Sequence, residues 1–366
     1  MARKKKTETT AGISPEDQIQ AYLEQNKGDH YNFEEERNYV VSSGSLLMDI
    51  EMGGGIGPGI IRASGITEGG KTSCALAFAK NFQKMDDAMV VYFKSEGRLP
   101  HDMLERAGID EDPKKWKIIK SNVYETVINL MRELVKNNDK NFKYMFIIDS
   151  MDSLVPKNDL EKGPEEANKV AGGALLSSDF LRKMALALST RGHICYMVSQ
   201  VRSKVQINPY ERTDARVTNA SGGNALLHYS DWILEFQERH LKDIISSEAN
   251  GKGDLHGHWC KVVFKKTPNE KTGTLVRYPI RYGSKNGKSI WVEYEVVDMM
   301  LQWDMASRKG AWITISDNLI EEVKEETGLD LDKQHQGLDN LKKYFEDNKE
   351  IGKFLFFKFR DVLKKS

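Results

Sequence analysis

Gly65-Ile66-Thr67-Glu68-Gly69-Gly70-Lys71-Thr72 is the stretch on which the reading of this chain turns. It fits G-x-x-x-x-G-K-[ST]. Before it, Gly59-Ile60-Ile61-Arg62-Ala63-Ser64 is apolar enough for a strand; after it, Ser73-Cys74-Ala75-Leu76-Ala77-Phe78-Ala79-Lys80 has helical character. A glycine-rich turn between strand and helix lets backbone N–H groups converge on phosphate oxygens at the helix N-terminus. Gly65, Ile66, Thr67, Glu68, Gly69, Gly70, Lys71, Thr72 and Ser73 are therefore candidate nucleotide-binding residues. Lys71 is expected to reach the terminal phosphates and the Thr72 hydroxyl to bind Mg²⁺. The expected ligand is a nucleoside triphosphate.

The rest of the chain sets bounds on what is done with it. With 366 residues there is room for one large domain and one or two small ones. Apolar residues make up 39% and charged residues 30%, and 54 basic side chains balance 54 acidic ones. Global charge thus selects no partner, and a nucleic-acid surface must come from local patches. The three cysteines, Cys74, Cys195 and Cys260, are far apart and form neither a disulfide framework nor a zinc pattern, which suits a reducing, cytoplasmic setting. No apolar run reaches the length that spans a membrane, so no membrane role is expected. Met1-Ala2-Arg3-Lys4-Lys5-Lys6 lacks a hydrophobic segment and reads as a disordered basic tail rather than a secretory signal.

Along the chain, residues 14–27 read as a short helix, with Ser14 as cap, Pro15 in the first turn and Ile19, Tyr22 and Leu23 as an apolar stripe. The glycine cluster at 53–59 is a turn before the phosphate-loop strand. From 59 to 282 strands and helices alternate: strands at 88–93, 144–148 and 193–198, helices at 123–137 and 175–189. Continuous apolar strands separated by helices predict a mostly parallel sheet covered on both faces. Segments 230–236 and 259–264 extend it, and the polar stretch 246–256 between them is expected to be an exposed hairpin tip. After 282 short helical runs lead to an aromatic, lysine-rich helix at 351–365. The expected organisation is a tail and N-terminal helix over 1–38, an α/β core over 39–282 and a small α+β domain over 283–366.

Asp149 closes the apolar run Phe146-Ile147-Ile148, where a carboxylate holds magnesium through water in phosphate-loop enzymes. Glu96 follows the strand ending Tyr92-Phe93-Lys94-Ser95, at the carboxyl end where open α/β sheets bind ligands. A carboxylate there can polarise an attacking water, though position alone equally fits a solvated loop acid. Gln200 ends a further strand, and its amide can report a γ-phosphate to the loop behind it. That loop, 202–223, is long and carries Arg202, Lys204, Tyr210, Arg212 and Arg216 before Ser221-Gly222-Gly223-Asn224. Cations with glycine amides suit a phosphodiester backbone. The segment 158–173 mixes Lys162 and Lys169 with acids and is a weak signal by itself.

Together these residues resemble the bacterial RecA recombinase family. The resemblance covers residues 12–362. It rests on Ser43-Gly44-Ser45-Leu46-Leu47-Met48-Asp49-Ile50, the loop at 65–72 with Glu68, Ser95-Glu96, Ile148-Asp149-Ser150, Gln200-Val201-Arg202, Gly222-Gly223-Asn224-Ala225-Leu226 and Lys309-Gly310-Ala311-Trp312. The resemblance implies a RecA-type P-loop ATPase core with ATP and Mg²⁺ as ligands. Lys71, Glu96 and Gln200 would be catalytic, with Thr72 and Asp149 at the metal. DNA would meet Lys169, Arg202, Lys204, Val205, Gly222, Gly223 and Asn224. Three positions depart from the family pattern. Met103 replaces the aromatic that stacks on adenine, and His228 replaces a phenylalanine at the subunit contact. The two lysines that reach a neighbour's ATP align with Phe264 and Lys266, which leaves Lys265 as the candidate replacement for the first. Lys265 and Lys266 are thus the expected trans-acting cations. The terminus Lys364-Lys365-Ser366 lacks the family's acidic tail.

The implied function is an ATP-dependent recombinase. It would polymerise as a homo-oligomeric helical filament on single-stranded DNA and pair it with homologous double-stranded DNA. A RecA-like hexameric motor or helicase and a hydrolysis-poor regulatory filament protein are the alternatives. A cellular and a phage source both stay open.

Overall fold

Alternation along four strands decides the architecture. Ile61, Ala63, Val90, Tyr92, Met145, Ile147, Ile194 and Tyr196 enter one buried cluster with the helix at 71–82. Their neighbours Ile60, Val91, Phe93, Phe146, Ile148, Cys195 and Met197 enter a second cluster with the helices at 124–136 and 172–190. A strand whose side chains are buried on both faces reads as an unbroken apolar run, which is why these segments are legible as parallel strands. The computed structural model describes residues 14–25, 37–97, 99–138, 141–160, 172–200, 228–247 and 253–362.

The strands are β1 (Gly59–Gly65), β2 (Ala88–Lys94), β3 (Trp116–Lys120), β4 (Lys143–Asp149), β5 (Ile194–Val198), β6 (Trp232–Phe236), β7 (Ile244–Ser246), β8 (Leu255–Lys266) and β9 (Leu275–Arg281). They form one sheet in the order β3-β2-β4-β5-β1-β6-β8-β7, with β9 also paired to β8. From β3 to β6 every pairing is parallel. β8 runs antiparallel to β6, β7 and β9. Because β9 lines one edge of β8, β6 and β7 share the other. β7 and β8 pair antiparallel with Ser246 opposite Leu255, so both ends of the polar stretch 246–256 are strand, and 248–252 lie outside the described residues.

The helices before the C-terminal segment are α1 (Pro15–Gln25), α2 (Leu46–Met52), α3 (Lys71–Phe82), α4 (His101–Ala107), α5 (Tyr124–Lys136), α6 (Lys157–Leu160) and α7 (Gly172–Thr190). α1 is capped by Ser14, whose Oγ accepts from the Asp17 N–H at 3.1 Å. Its stripe is left largely exposed: Ile19 is 61% and Tyr22 67% exposed.

Beyond β9 come α8 (Val292–Gln302), β10 (Ala306–Lys309), β11 (Trp312–Ile315), α9 (Asp317–Thr327), β12 (Gln334–Gln336), α10 (Leu338–Asp347) and α11 (Lys349–Asp361). β10, β11 and β12 form a separate antiparallel sheet. A third apolar cluster joins these elements and takes in Leu46 of α2. Glu295 of α8 fastens the junction. Its carboxylate accepts from the Leu46 N–H (2.7 Å) and the Ser45 hydroxyl (2.5 Å), satisfying donors at the start of α2.

Candidate functional site

The phosphate loop takes its shape from what lies beneath it. Gly65 has φ +141°, and a Cβ there would lie 2.3 Å from the Phe236 carbonyl oxygen. Gly70 has φ +103° as N-cap of α3, and a Cβ on it would meet Cys260 Sγ at 3.1 Å. Cys260 also donates its thiol to the Gly69 carbonyl at 3.5 Å. β6 and β8 thus floor the loop, while Ile66, Thr67 and Glu68 stand exposed at its rim. Ser73 is exposed on the first turn of α3.

Lys71 is buried, and its ammonium donates to the carbonyls of Gly65 (2.8 Å) and Ile66 (2.5 Å). Burial holds its pKa below the usual lysine value, against the opposing pull of Asp149, Glu96 and Asp152. Thr72 Oγ1 donates to Asp149 Oδ2 at 2.8 Å, and the Tyr92 hydroxyl donates to the same oxygen at 2.6 Å. Tyr92 and Asp149 lie on the α3 side of the sheet, so both face the helix that carries Thr72. Burial, then the charge of Asp149, raises the Tyr92 pKa, so the phenol stays a donor.

Three loops at the carboxyl ends of the parallel strands complete the site. Glu96, two residues beyond β2, is exposed, and its Oε1 accepts from Gln200 Nε2 at 3.2 Å. Ser95 Oγ donates to the Ser150 carbonyl (2.7 Å) and receives Ser153 Oγ (2.8 Å), tying the β2 end to the β4 end. The Asp149–Ser150 peptide bond is cis. Gln200 also donates its backbone N–H to Asp152 Oδ2 at 2.5 Å. The sheet order thereby gathers Lys71, Thr72, Glu96, Asp149 and Gln200 from four separate stretches of sequence.

Other expected residues lie apart from this cluster. Phe264 is fully buried, its ring edge-on to Trp232 with centroids 5.5 Å apart. Lys265 and Lys266 end β8, where the pairing with β6 shifts register between Ile233 and Leu234. Lys265 Nζ lies 3.3 Å from Glu235 Oε1, and Lys266 Nζ donates to the His228 carbonyl at 2.8 Å. His228 is exposed. Met103 packs against the α3-side core. Lys169, Arg202, Lys204, Val205, Gly222, Gly223 and Asn224 lie outside the described residues. Tyr92, Asp152, Phe236 and Cys260 went unrecognised in the sequence. Their roles depend on which strands are neighbours, and each sits in a run whose composition marks it only as core or turn.

Donor chemistry at Thr72 and Asp149, a hydroxyl and a carboxylate on hard oxygen, fits Mg²⁺. Among the described residues no three His, Cys, Asp or Glu side chains form a metal-binding group. Two protein oxygens beside a phosphate loop match an ion that is otherwise held by water and substrate phosphates.

A parallel sheet with a glycine loop between β1 and α3 and a carboxylate closing a nearby strand defines a P-loop nucleotide-binding protein of the α/β class. The family model for the RecA N-terminal domain matches residues 27–271, and the chain belongs to that family of P-loop ATPases. Protein RecA of Rippkaea orientalis is 27% identical over 325 residues, covering 88% of this chain and 83% of the relative. Protein RecA of Porphyromonas gingivalis is 26% identical over 330 residues, covering 89% and 85%. Protein RecA of Bordetella pertussis is 28% identical over 319 residues, covering 85% and 78%. These relatives support a role in recombination and repair. Among the described residues no helix is long and apolar enough to cross a membrane.

Proposed function

We propose that the chain is a cytoplasmic, ATP-dependent recombinase that polymerises on single-stranded DNA and catalyses homologous pairing and strand exchange. The observation that carries this reading is the Gln200–Glu96 hydrogen bond of 3.2 Å. It joins a carboxylate suited to hydrolysis to the residue immediately before the basic segment that contains Arg202 and Lys204. A DNA-dependent ATPase needs such a link between phosphate and DNA.

In this reading an entering phosphate takes over the Lys71 ammonium from the carbonyls of Gly65 and Ile66. Magnesium supplies charge neutralisation on the phosphates, with Thr72 and Asp149 as its protein oxygens. Glu96 orients the attacking water and accepts its proton. Before hydrolysis, Gln200 exchanges Glu96 for the γ-phosphate, and the change passes to 201–227. DNA phosphates meet Arg202, Lys204, Lys169 and the amides of Gly222, Gly223 and Asn224, while Val205 wedges between base steps. The exposed stripe of α1 docks on a neighbouring core, and His228 lies at the subunit contact. Lys265 and Lys266 serve the neighbour's ATP once the contacts to Glu235 and the His228 carbonyl are exchanged for phosphate. The residue ranges 1–38, 39–282 and 283–366 remain our assignment of domains.

A second reading has a specific support. Phe264 is in the core and Lys265 faces Glu235, which fits a regulatory filament protein that hydrolyses poorly. ATPase assays with and without single-stranded DNA separate the two. Stimulation by DNA is expected, and turnover that stays at the DNA-free level would favour the regulatory protein.

A further inference from the structure

Ser199 and Gln200, the two residues between β5 and the basic segment, are held from three directions. The Ser199 N–H donates to the Ala63 carbonyl of β1 at 2.8 Å. The buried Ser199 hydroxyl accepts from Arg62 Nε at 3.0 Å. The Gln200 N–H donates to Asp152 Oδ2 at 2.5 Å, on the turn that follows β4. The Gln200 side chain is therefore aimed at Glu96 from a fixed base.

Arg62 is an unusual resident for a central strand. It is 3% exposed and lies on the sheet face opposite Ile61 and Ala63. Burial lowers its pKa, and the charge of Asp152 opposes that shift. A buried guanidinium next to a carboxylate is costly to form, and removing one partner leaves the other uncompensated. Two residues earlier, Ile60 fills the same face with an apolar side chain. Both charged groups converge on residues 199 and 200.

We propose that Asp152 and Arg62 are positioning residues that clamp Ser199 and Gln200, and so set how strongly bound nucleotide changes the affinity for DNA. This rests on the reading of Gln200 as the phosphate sensor. Neither residue belongs to the phosphate loop at 65–72. The clamp fixes the backbone from which the amide swings, so a nucleotide-dependent movement of the side chain is transmitted forward into 201–227.

The test measures, on the full chain, the affinity for a fluorescent single-stranded oligonucleotide with a slowly hydrolysed ATP analogue and with ADP. The ratio of the two affinities is the readout, alongside thermal unfolding and binding of the analogue without DNA. Asp152→Ala and Arg62→Met are each expected to lower the ratio about tenfold, within the usual range of coupling between two sites. Binding of the analogue alone should persist. Asp152→Asn keeps an acceptor for the Gln200 N–H while removing the charge near Arg62, and should fall between. Gln200→Ala should abolish the ratio. If Gln200→Ala abolishes it while folded Asp152→Ala and Arg62→Met keep the wild-type value, the clamp is wrong and the sensor stands. If Gln200→Ala also keeps it, the sensor reading falls and takes the clamp with it. Should Asp152→Ala fail to fold, Asp152→Asn decides: a lowered ratio supports the clamp, and a wild-type ratio overturns it.

Discussion

Asp149 Oδ2 accepts from both Thr72 and Tyr92, so the carboxylate is oriented before any ion arrives. Tyr92→Phe removes one hydrogen bond to a charged acceptor and should raise the Mg²⁺ concentration needed for half-maximal ATPase by about tenfold. An unchanged Mg²⁺ midpoint would contradict that role. Glu96→Gln should retain ATP-dependent DNA binding and lose about 10²- to 10⁴-fold in turnover, the usual worth of a general base. Normal turnover in that variant would remove Glu96 from the reaction. Lys71, Thr72 and Asp149 were legible in the sequence because a fixed spacing and a strand end announce them. Glu96 was ambiguous by position and gained its place only beside Gln200. Tyr92 and Asp152 were not legible, because hydrophobic pattern identifies a strand without saying which strands are its neighbours.

At the scale of elements, the loop depends on β6 and β8 as a floor. Gly65→Ala would drive a Cβ into the Phe236 carbonyl at a φ that side chains rarely adopt. We expect a loss of about 3 kcal/mol or more in stability, read by denaturant unfolding, together with loss of nucleotide binding. A variant that unfolds like wild type would show that the loop has room to shift. β8 also decides the trans cations. The ladder to β6 shifts register here, with Ile233 opposite Lys266 and Leu234 opposite Phe264, so Lys265 is the extra residue of a bulge and no simple substitute for a lysine at 264. Reversing both charges at Lys265 and Lys266 should cut DNA-stimulated ATPase far more than ATP binding to the DNA-free chain; equal losses would argue for a role within one subunit. The long, doubly buried strands and α5 and α7 were readable from their apolar runs and helical spacing. α2, α4 and β3 are five to seven residues long. They are too short for periodicity to stand out, although Ser45 and Gly53 were present as cap signals for α2.

Across the whole molecule, Glu295 joins the C-terminal elements to α2 as a buried carboxyl. Burial pushes its pKa from 4.5 up to about 8, against the lowering effect of its bonds to Ser45 and Leu46. Between those values the folded chain holds a proton that the unfolded chain has released. Stability should therefore fall as pH rises from about 5 toward 8 and level off above it. Glu295→Gln should flatten this part of the profile of melting temperature against pH, and an unaltered slope would place the titration elsewhere. The change in texture after 282 was visible in composition. The contact between Glu295 and α2 was not, because it joins residues that are 250 positions apart. At the largest scale, the exposed Ile19 and Tyr22 of α1 point toward assembly. The most direct measurement is electron microscopy of the protein on single-stranded DNA with a slowly hydrolysed ATP analogue, with ATPase measured on a parallel sample containing ATP. Extended helical filaments with DNA-stimulated hydrolysis are the predicted result; closed rings, or filaments without turnover, would contradict it.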